Sequence, residues 1–156
     1  MQTHIIERKQ RVAAALDEVF AFFSDASNLE VLTPPWLRFR IATPTPIEMR
    51  AGVKIEYRID WHIIPIRWVT EIVEWSPPFR FVDVQAKGPY KLWHHTHTFA
   101  AVEGGTLIGD VVRYALPLGP IGGMVHRLAV RRDVERVFKY RAGRIAELFG
   151  EQASQR

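Results

Sequence analysis

IGGMVHRLAVRRDVERVFKYRAGRIAELF, residues 121–149, is the stretch whose reading decides the fold. Pro117-Leu118-Gly119-Pro120 precedes it and Gly150 follows it. Proline suits a first helical position, where its missing N–H is unneeded, and glycine suits the left-handed residue just past a helix end. These signals frame one helix of roughly 25 to 30 residues, long for a globular chain. Val134, Phe138, Ile145, Leu148 and Phe149 recur at three- and four-residue spacing and predict a continuous apolar stripe. An earlier apolar row, Ile121, Val125 and Leu128, would continue at Arg132, Glu135 and Lys139, so the apolar face rotates near residues 129 to 133. Two readings follow: a bend or frayed turn at Gly122-Gly123, or first turns that cover a cavity, with residues 117 to 123 as a mobile cover. Arg127, Arg131, Arg132, Arg136, Lys139, Arg141 and Arg144, interleaved with Asp133 and Glu135, read as a solvated face.

Such a stripe needs a surface to lie on, and upstream of it the chain reads mostly as strands. Val53, Ile55, Tyr57, Ile59 and Trp61 alternate with Lys54, Glu56, Arg58 and Asp60, one face buried and one wet, as in an antiparallel sheet. Further strands are predicted at 3–12, 36–41, 66–75, 79–86, 91–101 and 106–116. In the segment 36–41, Leu37, Phe39 and Ile41 oppose Arg38 and Arg40. The last two strands form a hairpin across Gly104-Gly105, both glycines supplying positive φ. Between the first strand and the rest, 13–25 and 27–32 read as two short helices, the second stopped by Thr33-Pro34-Pro35.

The composition narrows the class. The chain has 156 residues, 47% hydrophobic, with nine Phe, five Trp and four Tyr, enough for a real core and unlike a disordered or fibrous protein. It contains no cysteine, which removes disulfides and thiolate chemistry. The first residues become charged before a signal-peptide core could form, and no apolar run approaches a membrane span, so a cytoplasmic protein of one domain, residues 1–156, is expected. The net charge of +4 is spread along the chain and does not point to nucleic acid; weak peripheral contact with an anionic membrane through the basic helix is compatible with it.

The order of elements is a strand, two short helices, a six-stranded meander and a long helix. It resembles the α+β helix-grip fold of the START-like or birch-pollen-allergen-like superfamily, which also holds polyketide cyclase/dehydrase-like proteins. The residues that carry the resemblance are Val19-Phe20-Ala21-Phe22-Phe23-Ser24-Asp25, Asn28-Leu29, Leu32-Thr33-Pro34, the run from Gly88-Pro89 through Trp93, His95, His97 and Phe99, and Asp110, Val112, Tyr114 and Pro117. The resemblance spans about Ile5 to Leu148. It implies a curved antiparallel sheet wrapped around the last helix, with a hydrophobic pocket between them. Members include lipid and quinone carriers, hormone receptors and aromatase/cyclases, so no reaction is implied.

Within that frame, alternation puts Trp93, His95, His97 and Phe99 on one inward face. A turn at Gly104-Gly105 would place Phe99 opposite Asp110, His97 opposite Val112 and His95 opposite Tyr114, leaving His97 and Asp110 as diagonal neighbours. Asp83 and Gln85 project from the preceding strand beside Phe81. An unpaired buried polar group costs on the order of 1 to 3 kcal/mol, so this set either satisfies itself or meets water and ligand. The expected ligand walls are Trp36, Phe39, Tyr57, Trp61, Trp68, Phe81, Trp93 and Tyr114, with Gln85, His95, His97 and Asp110 orienting a polar end. The expected partner is a small hydrophobic or amphipathic molecule: a lipid, a quinone or an aromatic, polyketide-like compound. A cyclase- or dehydrase-like reaction with His97 as proton shuttle and Asp110 fixing its tautomer, or a surface-docking module, stay open. A metal would need a third ligand beside the two histidines, Asp110 or Asp83; neither a metal nor another cofactor is expected. No nucleophile elbow or phosphate loop occurs.

Overall fold

The structure, a computed structural model, describes residues 2–117, 121, 124 and 129–151. Strand β1 (His4–Val12) leads into helix α1 (Leu16–Phe23). A single 3-10 turn at Ala26–Asn28, capped by Asp25 accepting from the Ser27 N–H, passes into α2 (Leu29–Leu32). The meander follows as β2 (Arg40–Ile41), β3 (Lys54–Trp61), β4 (Ile64–Ser76), β5 (Arg80–Lys87), β6 (Leu92–Val102) and β7 (Gly105–Ala115). Helix α3 (Arg131–Phe149) closes the chain. The strands form one antiparallel sheet in the order β1-β7-β6-β5-β4-β3-β2, curved around α3. This is the α+β helix-grip architecture that the order of elements predicts.

Three details differ from the sequence reading. Residues 36–41 are not one strand. Pro34 and Pro35 start a 3-10 turn over Pro35–Leu37, Arg38 takes a left-handed backbone (φ 47°), and pairing begins only at Arg40. Proline supplies the fixed φ of the turn and no donor for a ladder, which delays the strand.

The β6–β7 turn is Glu103-Gly104, one residue earlier than expected, with Val102 paired to Gly105. Only Gly104 has positive φ (79°). Gly105 is glycine for a different reason: a Cβ there would overlap the backbone carbonyl oxygen of Val12 on the neighbouring β1. The pairing therefore moves by two residues, setting His97 opposite Asp110, His95 opposite Val112 and Phe99 opposite Ile108.

On α3 the buried residues are Val134, Phe138, Arg141 and Ile145. Leu148, expected in the stripe, is exposed, while Phe149 packs edge-on against Phe22 at 5.3 Å. The helix ends as predicted at Gly150 (φ 78°), whose N–H donates to the Ala146 carbonyl and whose carbonyl accepts from Ala13 N–H. The predicted helix start at Pro120, the Gly122-Gly123 break and most of the proposed cover lie outside the described residues.

The core divides in two. Phe20 and Phe23 of α1 pack against Phe81, Phe99, Ile108 and Ile145 at one end. Ile6, Val112 and Tyr114 pack against Val130, Val134 and Phe138 at the other. The rest of the space between sheet and helix is open.

Candidate functional site

That open space is a cavity of about 660 Å3. Its aromatic wall is built mainly from the inward faces of β3, β4 and β6, where the period of two puts Tyr57, Trp61, Trp68 and Trp93 on the same side of the sheet. Tyr57 and Trp68 are paired across β3 and β4 and stack at 6.0 Å, and Trp93 meets Trp68 edge-on at 5.4 Å. Trp36 and Phe39 enter from the segment before the meander, and Phe81 from β5. Of the twelve residues proposed from sequence, Trp36, Phe39, Tyr57, Trp61, Trp68, Phe81, Trp93, His95 and His97 line the cavity.

Three do not. Gln85 is spent on the chain itself, its amide donating to the Tyr90 carbonyl and its oxygen accepting from the Tyr90 N–H. Tyr114 is sealed into the second core cluster at 1% exposure. Asp110 is off the lining, where it holds His95 and Arg141.

Polar residues concentrate at one wall of the cavity. His95 and Asp83 are opposite one another across β5 and β6, and His97 is opposite Asp110 across β6 and β7. The hydrogen bonds run diagonally instead. His97 Nε2 lies 2.6 Å from Asp83 Oδ2, and His95 Nε2 lies 2.8 Å from Asp110 Oδ1. The expected pairing of His97 with Asp110 is corrected accordingly: Nδ1 of His97 is 3.5 Å from Asp110 Oδ1 and, buried, makes no hydrogen bond among the described residues. Phe81, His97 and His95 form a stack, with centroids 4.0 and 3.6 Å apart.

Arg141 completes the group. Its Nη2 is 3.4 Å from Asp110 Oδ1, and the side chain lines the cavity. Sequence reasoning placed it on the solvated face. Yet the buried row of α3 runs Val134, Phe138, Arg141, Ile145, spaced four, three and four, so a charged residue occupied a core position of the stripe; that gap was the available signal.

Electrostatics follows from burial and neighbours. Burial alone would raise the Asp110 carboxyl, but the Arg141 guanidinium, the His95 hydrogen bond and the two imidazoles outweigh it and hold the group well below the carboxylate range. Asp83 is also lowered: burial opposes ionisation, and the hydrogen bond from His97 together with the nearby cations overcomes it. His97 is pushed down to about 4, by burial first and by His95 second, against the pull of both carboxylates. At neutral pH His97 is therefore an uncharged imidazole that donates from Nε2 to Asp83. Asp83 Oδ1 has no hydrogen-bond partner among the described residues, and Asp83 lines the cavity. The wall thus offers a carboxylate oxygen to whatever enters.

Asp83, His95 and His97 bring one potential ligand atom each within 4.8 Å of one another, the only such trio among the described residues. Their present geometry suits hydrogen bonding better than a cation: imidazole planes 27° apart with centroids at 3.6 Å converge poorly on one point.

Residues 3–150 match the protein family described as polyketide cyclase/dehydrase and lipid transport. No curated protein matches the sequence. Among solved structures, the chain is similar to the Zhui aromatase/cyclase from a Streptomyces species, with 14% identity, TM-score 0.74, and coverage of 94% of this chain and 93% of that one. It is similar to a protein from Chromobacterium violaceum at 14% identity and TM-score 0.72, covering 96% and 99%. It is also similar to a START superfamily protein from Mycobacterium smegmatis at 16% identity and TM-score 0.66, covering 93% and 99%. Identities this low carry the fold and nothing finer. The family match extends over nearly the whole chain, and the protein belongs to the polyketide cyclase/dehydrase and lipid transport family.

Proposed function

We propose that the protein is a one-domain carrier that binds a small hydrophobic or amphipathic molecule in the cavity between sheet and α3. The observation that carries this reading is an aromatic cavity of about 660 Å3 with a few convergent polar groups at one wall, the usual form of a small-molecule site. The aromatic wall would hold an apolar body, a lipid, quinone or aromatic compound, by burial of its surface. Asp83 would accept a hydrogen bond from its polar end, with His97 holding the carboxylate in place.

A proton-shuttle enzyme is less well supported by the same geometry. His97 has its Nε2 occupied by Asp83 and its Nδ1 enclosed, so neither nitrogen is presented to a substrate as a base. No helix among the described residues is long and apolar enough to cross a membrane, and a cytoplasmic setting is part of this proposal.

The test is native mass spectrometry of the freshly purified protein, together with titration by anilinonaphthalene sulfonate followed through tryptophan fluorescence. The expected result is a co-purifying small molecule, or saturable probe binding at one site that Trp68→Ala weakens. A protein that emerges without ligand and shows no saturable binding would overturn the reading.

A further inference from the structure

The turn between β3 and β4 carries apolar side chains where turn chemistry would put small polar ones. The sequence there is Trp61-His62-Ile63-Ile64-Pro65-Ile66. Trp61 and Ile64 form the last cross-strand pair, His62 takes a left-handed backbone (φ 56°), and Ile63 stands 93% exposed at the tip with Ile64 at 53%. Ile63 belongs to neither core cluster of the described residues.

The tip is fixed at the edge of the cavity. Trp61 Nε1–H donates to Asp133 Oδ2 at 2.8 Å, His62 Nε2 lies 3.3 Å from the same oxygen, and both residues line the cavity. Trp36, also on the lining, is 46% exposed and lies beneath the Arg136 guanidinium at 4.9 Å. Other exposed large apolar side chains with no place at this rim, such as Ile5, Val73 and Phe79, belong to separate elements: β1, the irregular pairing of β4 with β5, and the turn before β5.

We propose that the β3–β4 tip, Ile63 and Ile64, inserts into the interfacial layer of an anionic lipid bilayer and seats the cavity mouth on the membrane. Two observations select this occupant. A protruding tip of two isoleucines offers far less than the roughly 800 Å2 per partner that a stable protein interface buries, whereas a bilayer accepts a narrow apolar projection. The rim beside it combines an exposed Trp with an Arg, the amphipathic pair suited to a membrane–water boundary. Arg132 and Arg136 are exposed on the same first turns of α3 that hold the tip through Asp133, and the chain carries a net charge of +4. Positive charge beside an apolar projection favours anionic lipid headgroups. The site goes beyond the carrier reading and complements it: with the mouth seated on the bilayer, an apolar ligand would enter without crossing bulk water.

Sedimentation with vesicles tests this without any ligand. The wild-type chain is expected to sediment with vesicles of phosphatidylcholine mixed with phosphatidylglycerol, and less with phosphatidylcholine alone. Ile63→Glu combined with Ile64→Glu should lower the partition by about tenfold or more, from lost insertion and like-charge repulsion. Val73→Glu, at an exposed apolar position elsewhere, should leave it unchanged. Circular dichroism and probe binding in vesicle-free buffer check that the double variant is folded and that its cavity is intact. Loss of probe binding with retained sedimentation in the wild type would count against the carrier reading alone. Wild-type protein that ignores both vesicles, or a folded double variant that sediments like wild type, overturns the membrane proposal. A concentration-dependent dimer that the same double variant abolishes would assign the tip to a second copy, and would overturn it too.

Discussion

His97 and Asp110 stand directly across from one another on β6 and β7, yet they share no hydrogen bond: His97 reaches sideways to Asp83, and Asp110 is left to His95 and Arg141. The group therefore separates into a pair, His97 with Asp83, and a trio in which Asp110, itself off the lining, joins His95 and Arg141. Removing a member of each should have different consequences.

In the trio, Asp110 is the only carboxylate that Arg141 meets within ion-pairing distance among the described residues. Asp110→Asn keeps the shape and the acceptor for His95 but leaves a buried guanidinium without its counter-charge. Breaking a buried pair in this way costs about 3 to 5 kcal/mol. Urea unfolding should show that loss, and adding Arg141→Met to the same chain should restore most of it, since the pair is then replaced by an uncharged contact. A single Asp110→Asn variant as stable as wild type would mean that Arg141 is compensated elsewhere.

Acid should loosen the fold through the same group. His97 titrates near its ordinary value of 6.5 in the unfolded chain and at about 4 when folded, so between those limits the unfolded state binds the extra proton. Stability is then fully present above pH 6.5 and is lost as pH falls toward 4. Asp110 and Asp83, both lowered by folding, act in the same direction at lower pH. Among the described residues the charged and titratable groups that face His97 are Asp83, Asp110 and His95, with Arg141 beyond Asp110. From pH 7 to pH 5 the His97 contribution amounts to about 2 kcal/mol. Melting temperatures measured across that range should fall, and His97→Gln should flatten the fall; an equal slope in both proteins would contradict the assignment.

The two hairpin glycines should now behave differently. Gly104→Ala strains a left-handed backbone (φ 79°), by about 1 to 2 kcal/mol. Gly105→Ala drives a Cβ into the Val12 carbonyl and so strains the pairing of β1 with β7, by roughly 1 to 3 kcal/mol. Hydrogen exchange separates the two: amides of His4–Val12 should exchange faster in Gly105→Ala and remain protected in Gly104→Ala.

The contrast between those glycines shows what the sequence could convey. Alternation in β3 and β6 depends only on the period of two, so Tyr57, Trp61, His95 and His97 are placed on the inward face without knowledge of partners. The register of β6 and β7 depends on which glycine makes the turn. Because the misplaced turn moved the pairing by two residues, the faces survived while every cross-strand partner changed. Asp110 could be identified as inward, but its partner Arg141 lies on α3, and no local pattern reports a contact between a strand and a helix 31 residues away. The walls were legible because burial repeats along the chain. The hydrogen bonds were not, because they depend on how the sheet meets the helix.

The last prediction concerns Asp83, whose Oδ1 is the carboxylate oxygen offered to a ligand. Asp83→Asn retains the volume and an oxygen that can accept from His97 Nε2–H, so the wall should keep its form while losing its charge. Naphthol and naphthalene share an aromatic body of similar size and differ in one hydroxyl donor. If Asp83 orients the polar end, naphthol should bind the wild type more tightly than naphthalene, and the variant should lose most of that difference. The loss should be that of one charge-assisted hydrogen bond, roughly 1.5 to 3 kcal/mol and less where water takes the ligand's place. Naphthalene affinity should be unchanged, because burial against the aromatic wall does not involve the carboxylate. Tryptophan fluorescence titration of both proteins with both compounds measures all four constants. Equal losses for the two compounds would show that Asp83 supports the shape of the cavity, and an unchanged preference for naphthol would place the polar contact at another residue of the wall.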